Sequence, residues 1–178
     1  MEFNGKNINI RAINKSDTKN VAEFLDFINS LIEEDTKIYF NKKFSFKEEK
    51  EYVINVLKRV KSKKEVFLIA EEGNRIVGST SIELGTNREE HVGIFGIAIR
   101  NGYRRIGLGK YLIGEILKMA EKQLKPKPKM IRLTVFSNNK PAFYLYKKIG
   151  FKVVANVPKQ RMYKGKLIDD TIMILYLA

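Results

Sequence analysis

The chain has 178 residues, of which 44% are hydrophobic, the size of one domain with one substantial core. With no cysteine and one histidine, it is excluded from disulfides, cysteine nucleophiles and thiolate or multi-histidine metal sites, so no metal is expected. Lysine and arginine number 34 against 20 acidic residues, a net charge of +14, which favours phosphate-bearing or polyanionic partners and a soluble, lysine-rich surface.

In chain order, "INIRAI" (8–13) alternates and reads as a short strand. Ser16 and Asp17 offer a helix start, after which Val21, Leu25, Ile28 and Ile32 recur at helical spacing. A polar-aromatic connection leads to "SFKE" (45–48), which has capping-box spacing, and the helix it opens buries Val53, Leu57 and Val60. Strands follow over 66–70 and 75–84, joined by the turn "EGNR", and a third consecutive strand runs over 91–99. A helix from 107 to 123 carries the apolar stripe Leu108, Leu112, Ile116 and Met119. "KPKPK" breaks the chain before a strand over 130–136. A short helix then has Pro141 in its first turn, where a missing amide hydrogen does no harm. Two last strands, 151–157 and 171–177, flank "PKQRMYKGKLIDD" read as a loop.

The predicted order is β-α-α-β-β-β-α-β-α-β-β over one domain, 1–178, an α/β architecture of the α+β kind: a mixed sheet with helices on both faces. No run is long and apolar enough to span a membrane, and Met1 to Ile10 lacks a signal peptide's apolar stretch. The expectation is a cytoplasmic protein with no membrane partner.

The chemistry concentrates at "RRIGLGK" (104–110), where an apolar strand gives way to charge, bare backbone and a helix. Amides in the first turn of a helix lack intrahelical partners and lie at the positive end of its dipole, so anions bind there. Gly107 and Gly109 remove side chains that would block the approach, and Arg104 and Arg105 add charge suited to phosphate. The stretch reads as a pyrophosphate cradle. It is neither the dinucleotide fingerprint nor the nucleotide P-loop, since Gly109-Lys110 is followed by Tyr111.

"RRIGLG" resembles the Arg/Gln-x-x-Gly-x-Gly/Ala signature of the GNAT superfamily of N-acetyltransferases, and it lies between a fourth strand and a third helix as in that family. "NKPAFYLYKKIGF" is similar to the family's second pattern, with Asn139, Ala142, Leu145, Tyr146, Gly150 and Phe151 in register. The resemblance covers nearly the whole chain in element order. It implies the GNAT fold, with acetyl-CoA as co-substrate in a cleft where the fourth and fifth strands (91–99 and 130–136) splay apart. Gly93 and Gly96 lie within that fourth strand, as glycine does at bulges and close approaches.

By the same resemblance, the main chain of Ile97, Ala98 and Ile99 pairs with the pantetheine arm like an added strand. The backbone from Arg104 through Arg105, Ile106, Gly107, Leu108, Gly109 and Lys110 holds the pyrophosphate. Asn139 touches the pantetheine arm, and Ala142, Phe143 and Tyr146 border the cofactor. Asn139 also suits a helix cap.

The implied reaction is direct attack of an amine on the thioester. A lysine-like amine, with a pKa of about 10.4, must first lose its proton. The oxyanion needs donors, supplied by the Ile97 amide, and the thiolate benefits from a general acid, supplied by Tyr146. The base is open. Many family members carry a glutamate in the fourth strand, where this chain has Ile94. Glu83, Glu90 and His91 are the candidates; water, or an amine already unprotonated, would need none.

Acceptor specificity falls to the first two helices, their connection (33–44) and the loop 158–170. "EED" at 33–35 is either a contact for a cationic acceptor or a solvated helix end. Protein N-termini, lysines, polyamines and other small amines remain open, and so does a homodimer. Two other classes compete with an enzyme: an acyl-CoA-binding sensor of the same fold with little catalysis, and a basic nucleic-acid protein. The second is disfavoured because no reading motif accompanies the charge.

Overall fold

The computed structural model describes residues 1–177. Its elements are β1 (Glu2–Phe3), β2 (Lys6–Asn7), β3 (Asn9–Ala12), α1 (Val21–Glu33), α2 (Phe46–Lys61), β4 (Glu65–Glu72) and β5 (Arg75–Leu84). Then come β6 (Val92–Ile99), α3 (Leu108–Gln123), β7 (Met130–Phe136), α4 (Lys140–Ile149), β8 (Lys152–Tyr163) and β9 (Lys166–Tyr176). β1 and β2 make a small hairpin, and a sheet of seven strands has the order β3-β4-β5-β6-β7-β9-β8. Every neighbouring pair in it is antiparallel except β6 with β7.

Side chains alternate across a strand, and β4 shows the consequence. Phe67 and Ile69 meet Phe24, Phe27 and Leu31 of α1 and Val53 and Val56 of α2 on one face. Val66 and Leu68 meet Ile113, Ile116 and Ala120 of α3 on the other, where Tyr146 of α4 also packs. A run buried on both faces reads as the near-continuous apolar "VFLIA". The mixed sheet with helices on both faces is therefore the observed architecture.

One element went unread, and three local expectations are corrected, the first on α2, whose buried residues are Glu49, Val53 and Val56 while Leu57 and Val60 are half-buried. The polar start of the chain is a hairpin turned by Asn4 and Gly5, both at positive φ (50° and 77°), a pairing of residue types that favours such turns. The buried stripe of α1 is Val21, Phe24, Phe27 and Leu31; Leu25, Ile28 and Ile32 are half-buried, one position round the helix. The stretch 158–170, expected as a loop, is mostly strand. β8 and β9 pair as far as Tyr163 with Lys166, turned by Lys164 and Gly165 at φ 51° and 71°. β8 is an edge strand with most of its residues exposed, so polar residues occupy it without an apolar alternation to mark it.

The parallel join between β6 and β7 is short. It runs Val92–Met130, Gly93–Ile131 and Ile94–Arg132 and stops there. Beyond it, β6 continues to Ile99 paired only to β5, and β7 continues to Phe136 paired only to β9. The sheet opens into a wedge at its centre.

Candidate active site

The wedge belongs to a cleft of about 910 Å³. At the start of α3 it is lined by Arg104, Arg105, Gly107, Gly109 and Lys110; along the wedge by Ile97 to Ile99 on β6 and Leu133 to Phe136 on β7; and beside it by Asn139, Ala142 and Tyr146 of α4. The cleft is also lined by Phe24 and Phe27 of α1, Glu49 and Tyr52 of α2, Tyr39 and Phe40 of the connection, and Arg161 and Tyr163 of β8. Ile106, Leu108 and Phe143 are outside this lining; Leu108 is buried against the sheet.

The glycine turn leaves the start of α3 open. Gly107 is the N-cap at φ 91°, with no side-chain cap and no acidic residue in the first turn. By contrast Ser45 caps α2 through a full capping box with Glu48, as the spacing predicted. The first amides of α3 are thus free for an anion. Arg105, at φ 63°, carries an exposed side chain with no hydrogen bond among the described residues. Arg104 is committed elsewhere: its Nε donates to Ile99 O (2.7 Å) and its Nη2 to Glu34 Oε2 (2.7 Å) and Thr36 Oγ1 (3.1 Å). It ties the glycine turn to the connection after α1.

The glycines do different work. A Cβ at Gly109 would lie 3.3 Å from Ile99 Cδ1 and 3.5 Å from Leu145 Cδ2, so this glycine sets how closely α3 approaches β6 and α4. A Cβ at Gly93 would fall 2.6 Å from Ile131 Cδ1 and 2.7 Å from Ile82 Cγ2, a packing requirement. At Gly96 it would meet only Ser81 Oγ at 3.9 Å, so this residue leaves the cleft floor open.

Tyr146 is 7% exposed and sits edge-on to Phe95, with centroids 5.9 Å apart. Burial pushes its phenol up to about 12, so it carries its proton throughout the neutral range. Asn139 is the N-cap residue of α4, but its side chain makes no capping bond; the carboxamide is left to the cleft it lines. Tyr144 is exposed, away from both.

The three expected base candidates lie outside the cleft lining. Glu83 is paired across strands with Ile94 and Glu65 and makes an ion pair with Arg59 at 3.3 Å. Glu90 pairs with Lys64 at 3.3 Å, and His91 is exposed where β6 begins, at the joined end of the wedge. The acids of "EED" are all paired: Glu33 with Lys43, Glu34 with Arg104 and Asp35 with Lys164. The connection they anchor lines the cleft and reaches from the glycine turn, through Glu34 and Thr36 on Arg104, to β8, where Asp35 O accepts a hydrogen bond from the Tyr163 hydroxyl (3.1 Å).

Three charged residues of the cleft, Lys37, Glu49 and Arg161, went unread in the sequence, and two of them are fixed by their surroundings. Arg161 donates from Nε and Nη2 to Asp170 Oδ2 (2.8 and 2.6 Å) and lies over the rings of Tyr39 and Phe136. Its Nη1 makes no hydrogen bond among the described residues. Glu49 is 4% exposed, and burial raises its carboxyl to about 7. The available signal was helical spacing: Glu49, Val53 and Val56 share the buried face of α2.

Among the described residues, no helix is long and apolar enough to cross a membrane, and no cluster of three or more His, Cys, Asp or Glu could hold a metal ion. The family model described as "Acetyltransferase (GNAT) family" matches residues 28–151. The L-amino acid N-acetyltransferase AaaT of Escherichia coli strain K12 is 31% identical over 99 residues, which is 55% of this chain and 60% of that protein. An acetyltransferase of GNAT family from Streptococcus pneumoniae superposes with a TM-score of 0.83 at 24% identity, covering 97% of this chain and 100% of its own. The putative acetyltransferase yncA from Salmonella typhimurium, solved with acetyl-CoA, gives a TM-score of 0.81 at 19% identity, covering 97% and 95%. The two structural likenesses speak to the fold.

Proposed function

This chain belongs to the acetyltransferase (GNAT) family, and we propose from that premise that it is an N-acetyltransferase, one catalytic domain over 1–178, that moves the acetyl group of acetyl-CoA to the amine of a free amino acid. The observation that carries this function is the composition of the cleft. One cleft joins the uncapped N-terminus of α3, the wedge between β6 and β7, Tyr146, and a set of groups that includes Glu49, Arg161 and aromatic rings. An elongated phosphate-bearing acyl donor fits the first two parts, and a small amine fits the last. The Salmonella neighbour solved with acetyl-CoA supports the same donor here.

In this scheme the amides that open α3, with Arg105 and Lys110, hold the pyrophosphate. The edge of β6 at Ile97 to Ile99, unpaired on the β7 side, takes the pantetheine arm as an added strand, and Asn139 offers its uncommitted carboxamide to it. The amine nitrogen attacks the thioester carbon, a new C–N bond forms, and the amide of Ile97 stabilises the oxyanion. The C–S bond then breaks, and Tyr146 gives the leaving sulfur its proton. A thiol with a pKa of about 8.5 leaves more readily than an alkoxide, so the phenol's contribution falls at the low end of general-acid catalysis, about 10²-fold.

A free amino acid is favoured over a protein acceptor by two features. The connection after α1, tied down by Glu34–Arg104 and Asp35–Lys164, is held against the cleft that it lines and leaves less room for a folded acceptor. Arg161 offers its free Nη1 to a carboxylate at a position fixed by Asp170. The E. coli relative's name, L-amino acid N-acetyltransferase, agrees with both.

Calorimetry with acetyl-CoA is the first test. Micromolar binding is expected, weakened about tenfold or more in Arg105→Glu or Lys110→Glu, since tenfold corresponds to the loss of about 1.4 kcal/mol. Unchanged affinity in both would remove the phosphates from the start of α3. Gly109→Trp is a poor control, because its indole would meet Ile99 and Leu145 before it met a ligand. Transfer to L-amino acids, compared with a peptide N-terminus and a polyamine, then tests the acceptor. The apolar Ile94 on β6 keeps a second function in view, a sensor that binds acyl-CoA; tight binding with no transfer to any amine would favour it.

A further inference from the structure

Five acidic residues are buried among the described residues: Asp17, Glu49, Glu65, Glu71 and Asp170. Arg11 holds Asp17 (2.7 Å) and Glu71 (2.6 Å), Arg59 holds Glu65 (2.8 Å), and Arg161 holds Asp170 (2.6 Å). Glu49 alone has no ion pair, and its carboxyl makes no hydrogen bond among the described residues. In a chain with 34 basic residues, Glu49 is the one of these five left without a cation; Glu23 on α1, half-buried as a residue, also hides its Oε2 without a partner but does not line the cleft. Glu49 is also the one buried acid that lines the cleft. A buried charge without a partner is unfavourable, so a protein that keeps one at a site where a cation binds is using it there.

We infer that Glu49 is the general base of acetyl transfer, receiving the proton of the acceptor ammonium from helix α2 in place of the strand position occupied by Ile94. This rests on the acetyltransferase function above. The carboxylate first meets the ammonium as its counter-charge and then takes one proton, leaving the nitrogen lone pair free to attack. A second nitrogen proton is lost as the amide forms and balances the proton that Tyr146 gives to the sulfur. The net change is ammonium plus thioester to amide, thiol and one released proton.

The surroundings of Glu49 set its titration. On α2 its titratable neighbour is Tyr52; from the connection, Lys37 and Tyr39 reach the same cleft; Tyr146 comes from α4, and Arg161 and Tyr163 come from β8. The acids on the adjoining strands, Glu65 on β4 and Glu83 on β5, are both drawn to Arg59, at 2.8 and 3.3 Å. On α1 and the turn before it, Asp26 is paired with Arg100 and Asp17 with Arg11, both at 2.7 Å. Desolvation is the cause that lifts the Glu49 carboxyl to about 7, and a base with a pKa near the working pH is well placed to act. Its active form is the carboxylate, so the rate rises with pH through that value and falls below it.

The test uses the full chain with acetyl-CoA and the panel of L-amino acids. The wild type should transfer acetyl, with kcat/KM falling tenfold per pH unit on the acid side of about 7. Glu49→Gln should bind acetyl-CoA as before, lose roughly 10²- to 10⁴-fold in kcat and lose that acid limb. Glu49→Asp should recover part of kcat and keep the limb, which a merely structural residue would not do. Glu49→Gln with kcat within threefold of wild type, or with the limb intact, would overturn the base and leave the acetyltransferase standing. No transfer by wild type to any amine would overturn both. Should Glu49→Gln fail to fold, the wild-type carboxyl resonance, tracked by ¹³C NMR and identified through Glu49→Asp, decides: titration near 7 supports the inference, and titration near 4.5 removes it.

Discussion

At the scale of single residues, Tyr146 and Glu49 line the same cleft, and one cause, burial, gives them different protonation behaviour. Both are driven by burial toward the neutral form, but a phenol starts high and is lifted to about 12, while a carboxyl starts low and stops at about 7. One keeps its proton and the other exchanges it at working pH. Tyr146→Phe retains the ring contacts with Phe95 and Phe151, and the hydroxyl it removes has no hydrogen-bond partner among the described residues. We expect turnover about 10²-fold lower at an unchanged melting temperature; full activity at neutral pH would take Tyr146 out of the reaction.

Glu49 also makes a stability prediction that needs no substrate. Its folded pKa lies above its unfolded value, so the fold is favoured at low pH, where the carboxyl is protonated in both states. That advantage is lost as pH rises through about 7. Replacing Glu49 with Gln removes the penalty. The variant should gain roughly 3 kcal/mol over wild type at pH 8, shrinking toward zero below pH 4.5. Denaturant melts at the two pH values measure it, and an equal effect at both would mean that the carboxyl is not desolvated.

At the scale of elements, the β8–β9 hairpin does what neither strand could do alone. β8 supplies Arg161, β9 supplies the buried Asp170, and the pair sits between rings from the connection and from β7. Asp170 Oδ1 is buried without a partner of its own, so the arginine is what keeps this charge tolerable. Arg161→Ala should therefore destabilise the protein by about 3 kcal/mol or more, because a buried charge is left uncompensated. Arg161→Ala combined with Asp170→Asn should recover much of that loss in thermal melts. Additivity of the two substitutions would contradict the pairing.

The glycine turn was legible as a local pattern, since an uncapped helix start depends only on adjacent residues. The division of labour within it was not. Arg104 and Arg105 look equivalent in sequence, yet Glu34 from the end of α1 claims the first and leaves the second exposed. Gly109 looks like clearance for a ligand, yet the side chains of Ile99 and Leu145 account for it. Asn139 read equally as a cap or as a ligand contact, and the absence of a capping bond frees its carboxamide.

At the scale of the whole molecule, two packed layers and one interrupted strand pairing make the site. β6 and β7 join over three residue pairs and then part, with α3 and α4 on one face of the sheet and α1 and α2 on the other. The cleft therefore brings the start of α3 and the Glu49 face of α2 to one cavity, drawing on both halves of the chain. The net charge of +14 suits a polyphosphate donor over the whole surface, while acceptor binding is governed by a few fixed groups.

The sequence by itself determined the order of elements from β3 onward, the two motifs and the glycine turn, because strand alternation, helical spacing and capping are written in neighbouring residues; Tyr146 was singled out by the resemblance that the second motif carries. Its local patterns were weakest where an element was exposed, as in β8, or where a helix stripe was one position out, as in α1. Only the tertiary structure decided which charges are free. Arg59 and Arg161 neutralise the buried acids Glu65 and Asp170, Arg104 is taken by Glu34, and Glu49 is left over. Ion pairing and desolvation depend on distances between residues far apart in the chain, and those exist only once the sheet has brought the helices together.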